Sequence, residues 1–184
     1  MHGPLVERDA YVLGRDNRVN IKVRFRTGSI KVKQLVDSAE DGFELWRAET
    51  DASLPAPPET WEEVGSRLAV ELDVHGIGTL GDPGEVVGAL CGPAGKVRCV
   101  EVAKERSSFL VPPGRIEVAE VVVAGDVFQS IAFESRTLSS ARSLRSRLWR
   151  PELGIPENYV SFCSRSPVTW PIAPPGQWAP RSQR

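Results

Sequence analysis

Three groups of side chains in this chain could do chemistry. The first lies in Arg18 to Lys33, RVNIKVRFRTGSIKVK, where Lys22, Arg24 and Arg26, then Lys31 and Lys33, recur two residues apart. Cations at that spacing share one face of a strand, and fixed cations can grip a multiply charged anion. The other use of such a face is a solvated outer surface, and the stretch alone leaves both open. The second group is Lys104 and Arg106, again two apart, followed by Arg115, Glu117, Glu120 and Glu134. Glu117, Glu120 and Glu134 are the carboxylates best suited to a hard divalent cation, or else to cross-strand ion pairs. The third is Gly76-Ile-Gly-Thr-Leu-Gly81, a GxGxxG match with Glu101 twenty residues after Gly81. It has the outline of a dinucleotide fingerprint, but Asp82-Pro83-Gly84 interrupts the helix start and no second βαβ unit follows.

Composition narrows the chemistry. The chain has 184 residues, 41% hydrophobic and 26% charged, enough for one globular domain with a core. Its net charge of −1 gives no global basic balance, so nucleic acid is not the expected partner and any cationic site must be local. With only His2 and His75, histidine-rich metal sites and a Ser-His-Asp triad are not expected. Cys91, Cys99 and Cys163 are odd in number and lack CxxC spacing. That predicts no disulfide framework and no zinc site, and fits a reducing cytoplasm. No apolar run approaches the roughly 20 residues of a membrane span. MHGPLVERDAY has no signal-peptide core.

Alternation and turn signals then predict the elements. Val6 to Leu13 is a short strand. Val19, Ile21, Val23 and Phe25 make the hairpin's apolar face, Thr27-Gly28-Ser29 its turn, and the second arm runs to Val36. Asp37 to Gly42 is a polar turn, Phe43 to Glu49 a strand and Asp51 to Pro58 a loop. Thr60 with Glu63 fits a capping box opening a helix whose core face is Trp61, Val64, Leu68 and Leu72. Glu85 to Leu90 is a short helix. Lys96 to Leu110, Arg115 to Val123 and Val127 to Glu134 are strands. Arg136 to Arg150 is a helix with Leu138, Ala141, Leu144 and Leu148 inward and a basic outer face. Tyr159 to Cys163 is a final strand. Residues 167–184, with five prolines, form a tail after a single domain spanning 1–166. The fold class is α+β, mainly antiparallel.

The order of these pieces resembles the CYTH superfamily, the triphosphate tunnel metalloenzymes, which includes thiamine triphosphatases and class four adenylyl cyclases. ERDAY, Glu7 to Tyr11, is similar to the family's early "q-x-D-x-Y-F" strand, and RVNIKVRFR to its "R-L-K-L-R" strand. The lysine arm matches "L-x-L-K". GEVVGALCGPAGKVRCVEVAKERSSFL resembles a short helix, a glycine turn and a "V-x-K-x-R" strand. RIEVAEVVVAGDVFQSIAFE resembles "R-I-x-L-D-x-V-x-x-L-G-x-F-x-E-x-E". The resemblance spans roughly residues 5 to 165.

It implies an antiparallel, tunnel-like β-barrel with flanking helices, in which Lys22, Arg24, Lys33, Arg47, Lys104, Arg106 and Arg115 contact phosphates. Glu134, with Glu117 or Glu120, would hold Mg²⁺ or Mn²⁺ in an active, metal-dependent phosphohydrolase. The implied ligand is a polyphosphorylated small molecule or inorganic polyphosphate, with no membrane partner and a homodimer as a candidate assembly. There are departures. The family's opening "E-x-E-x-K" strand is met only if Glu7 and Asp9 are the acids and Tyr11 replaces the lysine; the alignment of Glu7 to Tyr11 with the following strand is preferred. The aspartate of "R-I-x-L-D" falls on Ala119 and the first glutamate of "E-x-E" on Ala132. Cations are kept and acids lost, so the alternative is a non-catalytic polyanion-binding or interaction protein. Catalysis through a metal needs the carboxylates that hold it.

Overall fold

The computed structural model describes residues 5–91, 97–150 and 159–165. Four strands come first, β1 (Leu5–Leu13), β2 (Val19–Arg24), β3 (Ser29–Ser38) and β4 (Glu44–Ser53). Three helices follow, α1 (Pro58–Leu68), α2 (Val74–Gly78) and α3 (Pro83–Cys91). Then come β5 (Arg98–Val111), β6 (Gly114–Val123), β7 (Asp126–Glu134), α4 (Leu138–Leu148) and α5 (Tyr159–Arg165). The strands form one sheet in the order β4-β3-β2-β1-β5-β6-β7, each neighbour antiparallel. The sheet curls into an open half-barrel. Lys33 on β3 accordingly feels the charges of Arg115 and Glu134, on strands from the far half of the sheet. From α4, Arg142 and Arg145 both reach Asp41 in the β3–β4 turn, and Arg145 lies over the Phe43 ring. That contact ties the β7 side of the sheet to the β4 side.

Alternation decides what each face meets. Val19, Ile21, Val23, Ile30 and Val32 point outward, under a helical layer anchored by Trp61, Val64, Leu68, Val86 and Leu90. Period-two packing then forces the intervening Lys22, Arg24, Lys31 and Lys33 onto the concave face. One end of that face has its own apolar floor, Tyr11, Val100, Val102, Ala119 and Val121, with Val160 and Cys163 from α5 laid on it.

Several local expectations are corrected. Tyr159 to Cys163 is helical, because Val160 and Cys163, three apart, both reach the concave floor. α1 starts at Pro58 with Pro57 as N-cap and no side-chain cap; Thr60 is buried and Glu63 takes the hydroxyl of Thr50 instead. A proline at N1 suits the first helical turn without a capping box. Leu72 lies beyond α1, though it packs on the same core. The GxGxxG stretch holds α2, a helical turn whose Gly76 N–H is capped by Asp73, with no strand before it. β3 continues to Ser38 and β4 to Ser53, through segments expected to be turn and loop. In α4, Ala141 and Leu144 are buried but Leu138 and Leu148 are largely exposed. Cys91 and Cys99 are joined as a disulfide, with Cα atoms 5.7 Å apart. The missing CxxC spacing concealed this, because the end of α3 returns to the start of β5. Residues 167–184 lie outside the described residues. No described helix is long and apolar enough to cross a membrane.

Candidate anion-binding site

The concave face is built outward from β1. Register places Tyr11 opposite Lys22, Asp9 opposite Arg24, and Glu7 opposite Lys104. Next along, Lys22 faces Lys31 and Asn20 faces Lys33. On the other side, Arg106 faces Ala119, and Glu117 faces Ser108 and Ala132. Six cations, Lys22, Arg24, Lys31, Lys33, Lys104 and Arg106, therefore share one face with the carboxylates of Glu7, Asp9, Asp51 and Glu117.

Most of these charges are paired, unequally. Arg106 donates to both Glu7, at 2.9 Å, and Glu117. Asp51 serves Lys31 at 2.8 Å and Arg24 at 3.7 Å. Asp9 holds Lys22 at 3.5 Å. Lys33 makes no ion pair with a carboxylate among the described residues, and its pKa is lowered by burial and then by Lys22 and Lys31. Lys104 is only 5% exposed and donates to the Tyr11 hydroxyl at 3.2 Å. Burial, then Lys22, lowers its pKa to about 8. Buried Asn20 Oδ1 and Arg106 Nε have no hydrogen-bond partner among the described residues. Such atoms are rare in folded proteins and mark places where a solvent molecule or ligand would complete the bonding.

Not every expected residue joins this cluster. Lys22, Arg24, Lys33, Lys104 and Arg106 are together. Arg115 is at the rim, half exposed and paired with Glu134, beside a groove formed with Ser135 and Thr137. Arg47 is on the outer face: it pairs in register with Gln34, whose side chain meets Arg67 of α1, and its own partner is Glu49. Glu120 is exposed on the face opposite Ala119, away from Glu117. Glu117 is held by Arg106 and Glu134 by Arg115. Glu117, Glu120 and Glu134 thus do not converge as a metal-binding set, and no group of three metal-ligating side chains exists among the described residues. Glu7, Asp9 and Tyr11, the residues of the less favoured alignment, do line the site, with Lys31 and Asp51. Their signal is the two-residue spacing of Glu7, Asp9 and Tyr11 in the strand at the centre of the sheet.

The Glu7–Arg106–Glu117 triad makes a stability prediction. Arg106→Ala leaves two carboxylates facing each other with little solvent, their side chains 12% and 11% exposed. Breaking a fully buried pair costs about 3–5 kcal/mol, and Arg106 is a quarter exposed, so the expected loss is about 2 kcal/mol. Urea unfolding at pH 7 reads it. A loss under about 0.5 kcal/mol, typical of a surface pair, would contradict the triad.

No family model matches the chain, nor does any curated protein or solved structure.

Proposed function

We propose that the concave face binds a polyphosphorylated small molecule or inorganic polyphosphate, without requiring a metal. The observation that carries this reading is an excess of like charge held in place: six cations on one face, against four carboxylates, with Lys22 acting on both Lys33 and Lys104. A fold that crowds ammonium groups in a half-buried site bears a cost that a bound anion would remove. Phosphate oxygens would take the donors left over, Lys33 and Arg106 Nε first. Net contributions of about 1.5–3 kcal/mol are typical of hydrogen bonds to charged groups.

Calorimetric titration with tripolyphosphate, in chelator and at moderate salt, tests this. Lys31→Ala with Lys33→Ala is expected to weaken binding about 10- to 100-fold, since each tenfold is about 1.4 kcal/mol. Neither change touches the outer core. Affinity should also fall as salt rises. Absence of binding to the wild-type protein would sink the reading and leave the carboxylate pairs as structural salt bridges. The resemblance to triphosphate tunnel enzymes adds a second measurement on the same samples. Release of phosphate from tripolyphosphate, thiamine triphosphate or ATP, on adding Mg²⁺ or Mn²⁺, would replace binding with hydrolysis. Because Glu117, Glu120 and Glu134 do not converge, metal-free binding is the reading these side chains favour.

A further inference from the structure

We propose that Lys104 is a nucleophilic amine on the wall of the concave face, and that it condenses with a phosphorylated aldehyde or ketone to form an imine. The placement of the phosphate rests on the anion-binding reading; the reactivity of the amine rests on Lys104's own surroundings. Lys104 and Lys22 share one aromatic ring. Their Nζ atoms lie 5.6 and 4.7 Å from the centroid of Tyr11. Lys104 is buried and its nitrogen is 3.2 Å from the Tyr11 hydroxyl. A lysine removed from water beside another cation is the usual way a protein prepares an amine for attack on a carbonyl.

The facing groups act in both directions. Burial and Lys22 disfavour the ammonium form, whereas Asp9, Glu117 and Cys163 favour it. The balance lowers the pKa to about 8. At pH 7.5 roughly a quarter of Lys104 is then neutral, against about one part in a thousand for an ordinary lysine. In the reaction, the nitrogen lone pair forms a bond to the carbonyl carbon. The two N–H protons pass to the carbonyl oxygen, which leaves as water, and no oxidant or reductant is consumed. Around this amine, Lys22 and Lys33 supply the charge that would hold the phosphate end of the same molecule.

The small number of lysines makes this readable. The chain has five; Lys22, Lys31, Lys33 and Lys104 are on the concave face, and the fifth is Lys96. The intact chain is incubated with pyridoxal 5′-phosphate at pH 8. The imine is reduced to a secondary amine with borohydride, and the adduct is located by peptide mass spectrometry. Lys104 is expected to carry the adduct, in about 10-fold excess over the more exposed Lys31, and tripolyphosphate is expected to block it. Labelling spread by exposure with Lys104 unmodified would overturn the amine, even where tripolyphosphate still binds. Propionaldehyde, which carries no phosphate, separates the two ideas. If it modifies Lys104 as fast as the phosphate ester does, and tripolyphosphate protects against neither, the amine stands and the anion reading fails.

Discussion

Between pH 8 and about 10.5 the wild-type protein is expected to gain stability relative to a Lys104→Met variant. Lys104 titrates near 8 in the folded protein against 10.5 for a free side chain. Below pH 8 the folded state carries a buried ammonium that the unfolded chain holds in water, so the penalty is present in full. From pH 8 upward the folded protein sheds that proton first. The unfolded state then binds more protons, and stability rises with pH until the free side chain also deprotonates. The gain is on the order of 3 kcal/mol, since titration near 8 rather than 10.5 is worth 1.36 kcal/mol for each tenfold change in proton affinity. Urea unfolding of both proteins at pH 7, 8.5 and 10 measures it, and the comparison cancels other groups that titrate in both. A difference that stays flat over this range would mean that Lys104 is not desolvated. Saturating tripolyphosphate should shrink the gain, because a bound anion favours the ammonium. The same linkage makes tripolyphosphate bind more weakly at pH 9 than at pH 7.

Trp61→Ala is expected to cost about 3–5 kcal/mol, the range for truncating a large buried aromatic. Trp61 is fully buried in α1, at the centre of the layer that covers the outer face of the sheet. Its indole N–H donates to Ala56 O at 3.1 Å, and its ring lies against Gly78 of α2. Alanine leaves a cavity between α1, α2 and the sheet and removes the partner of a buried carbonyl. A protein of this size loses about 2–4 °C in melting temperature per kcal/mol, so a drop of roughly 10 °C is expected. Trp61→Phe keeps most of the apolar contact and should lose about 1–2 kcal/mol. Tripolyphosphate affinity, measured well below the melting temperature, should be unchanged, because Trp61 and the cations are on opposite faces. A loss below about 1 kcal/mol for the alanine variant would show that the helical layer is not held by this side chain.

Taken alone, the sequence determined most of the strand content. Strict alternation in β2 and β3 committed Val19, Ile21 and Val23 to one face and Lys22 and Arg24 to the other. β-branched runs located β5, β6 and β7, and helical spacing gave the core stripe of Trp61, Val64 and Leu68. Local signals failed where a tertiary contact outweighed them. Residues 159–165 have strand-forming side chains, but their partner is a concave apolar floor rather than a strand edge, so helical spacing wins. Cys91 and Cys99 meet only because α3 packs back on the sheet.

The site shows the same division. Which residues are cationic, and which share a strand face, could be read from spacing. Which face becomes the inside could not, since period two fixes only that the two sets are opposite. The helices α1, α2 and α3 settled that by covering the Val19–Ile21–Val23 side. Spacing also could not tell that Arg47 belongs to the outer face, nor which of Glu117 and Glu120, three apart and so on opposite faces of β6, points inward with Arg106. Those choices depend on register across β3–β4 and β5–β6. The first of these passes through irregularities between Val32 and Lys33 and between Leu35 and Asp37. Ion pairing was the least legible feature, because Asp9, Glu7 and Asp51 find their cations only once curvature and register bring separate strands together. Side-chain chemistry and period were local properties of the chain, whereas inside, outside and partner were set by packing.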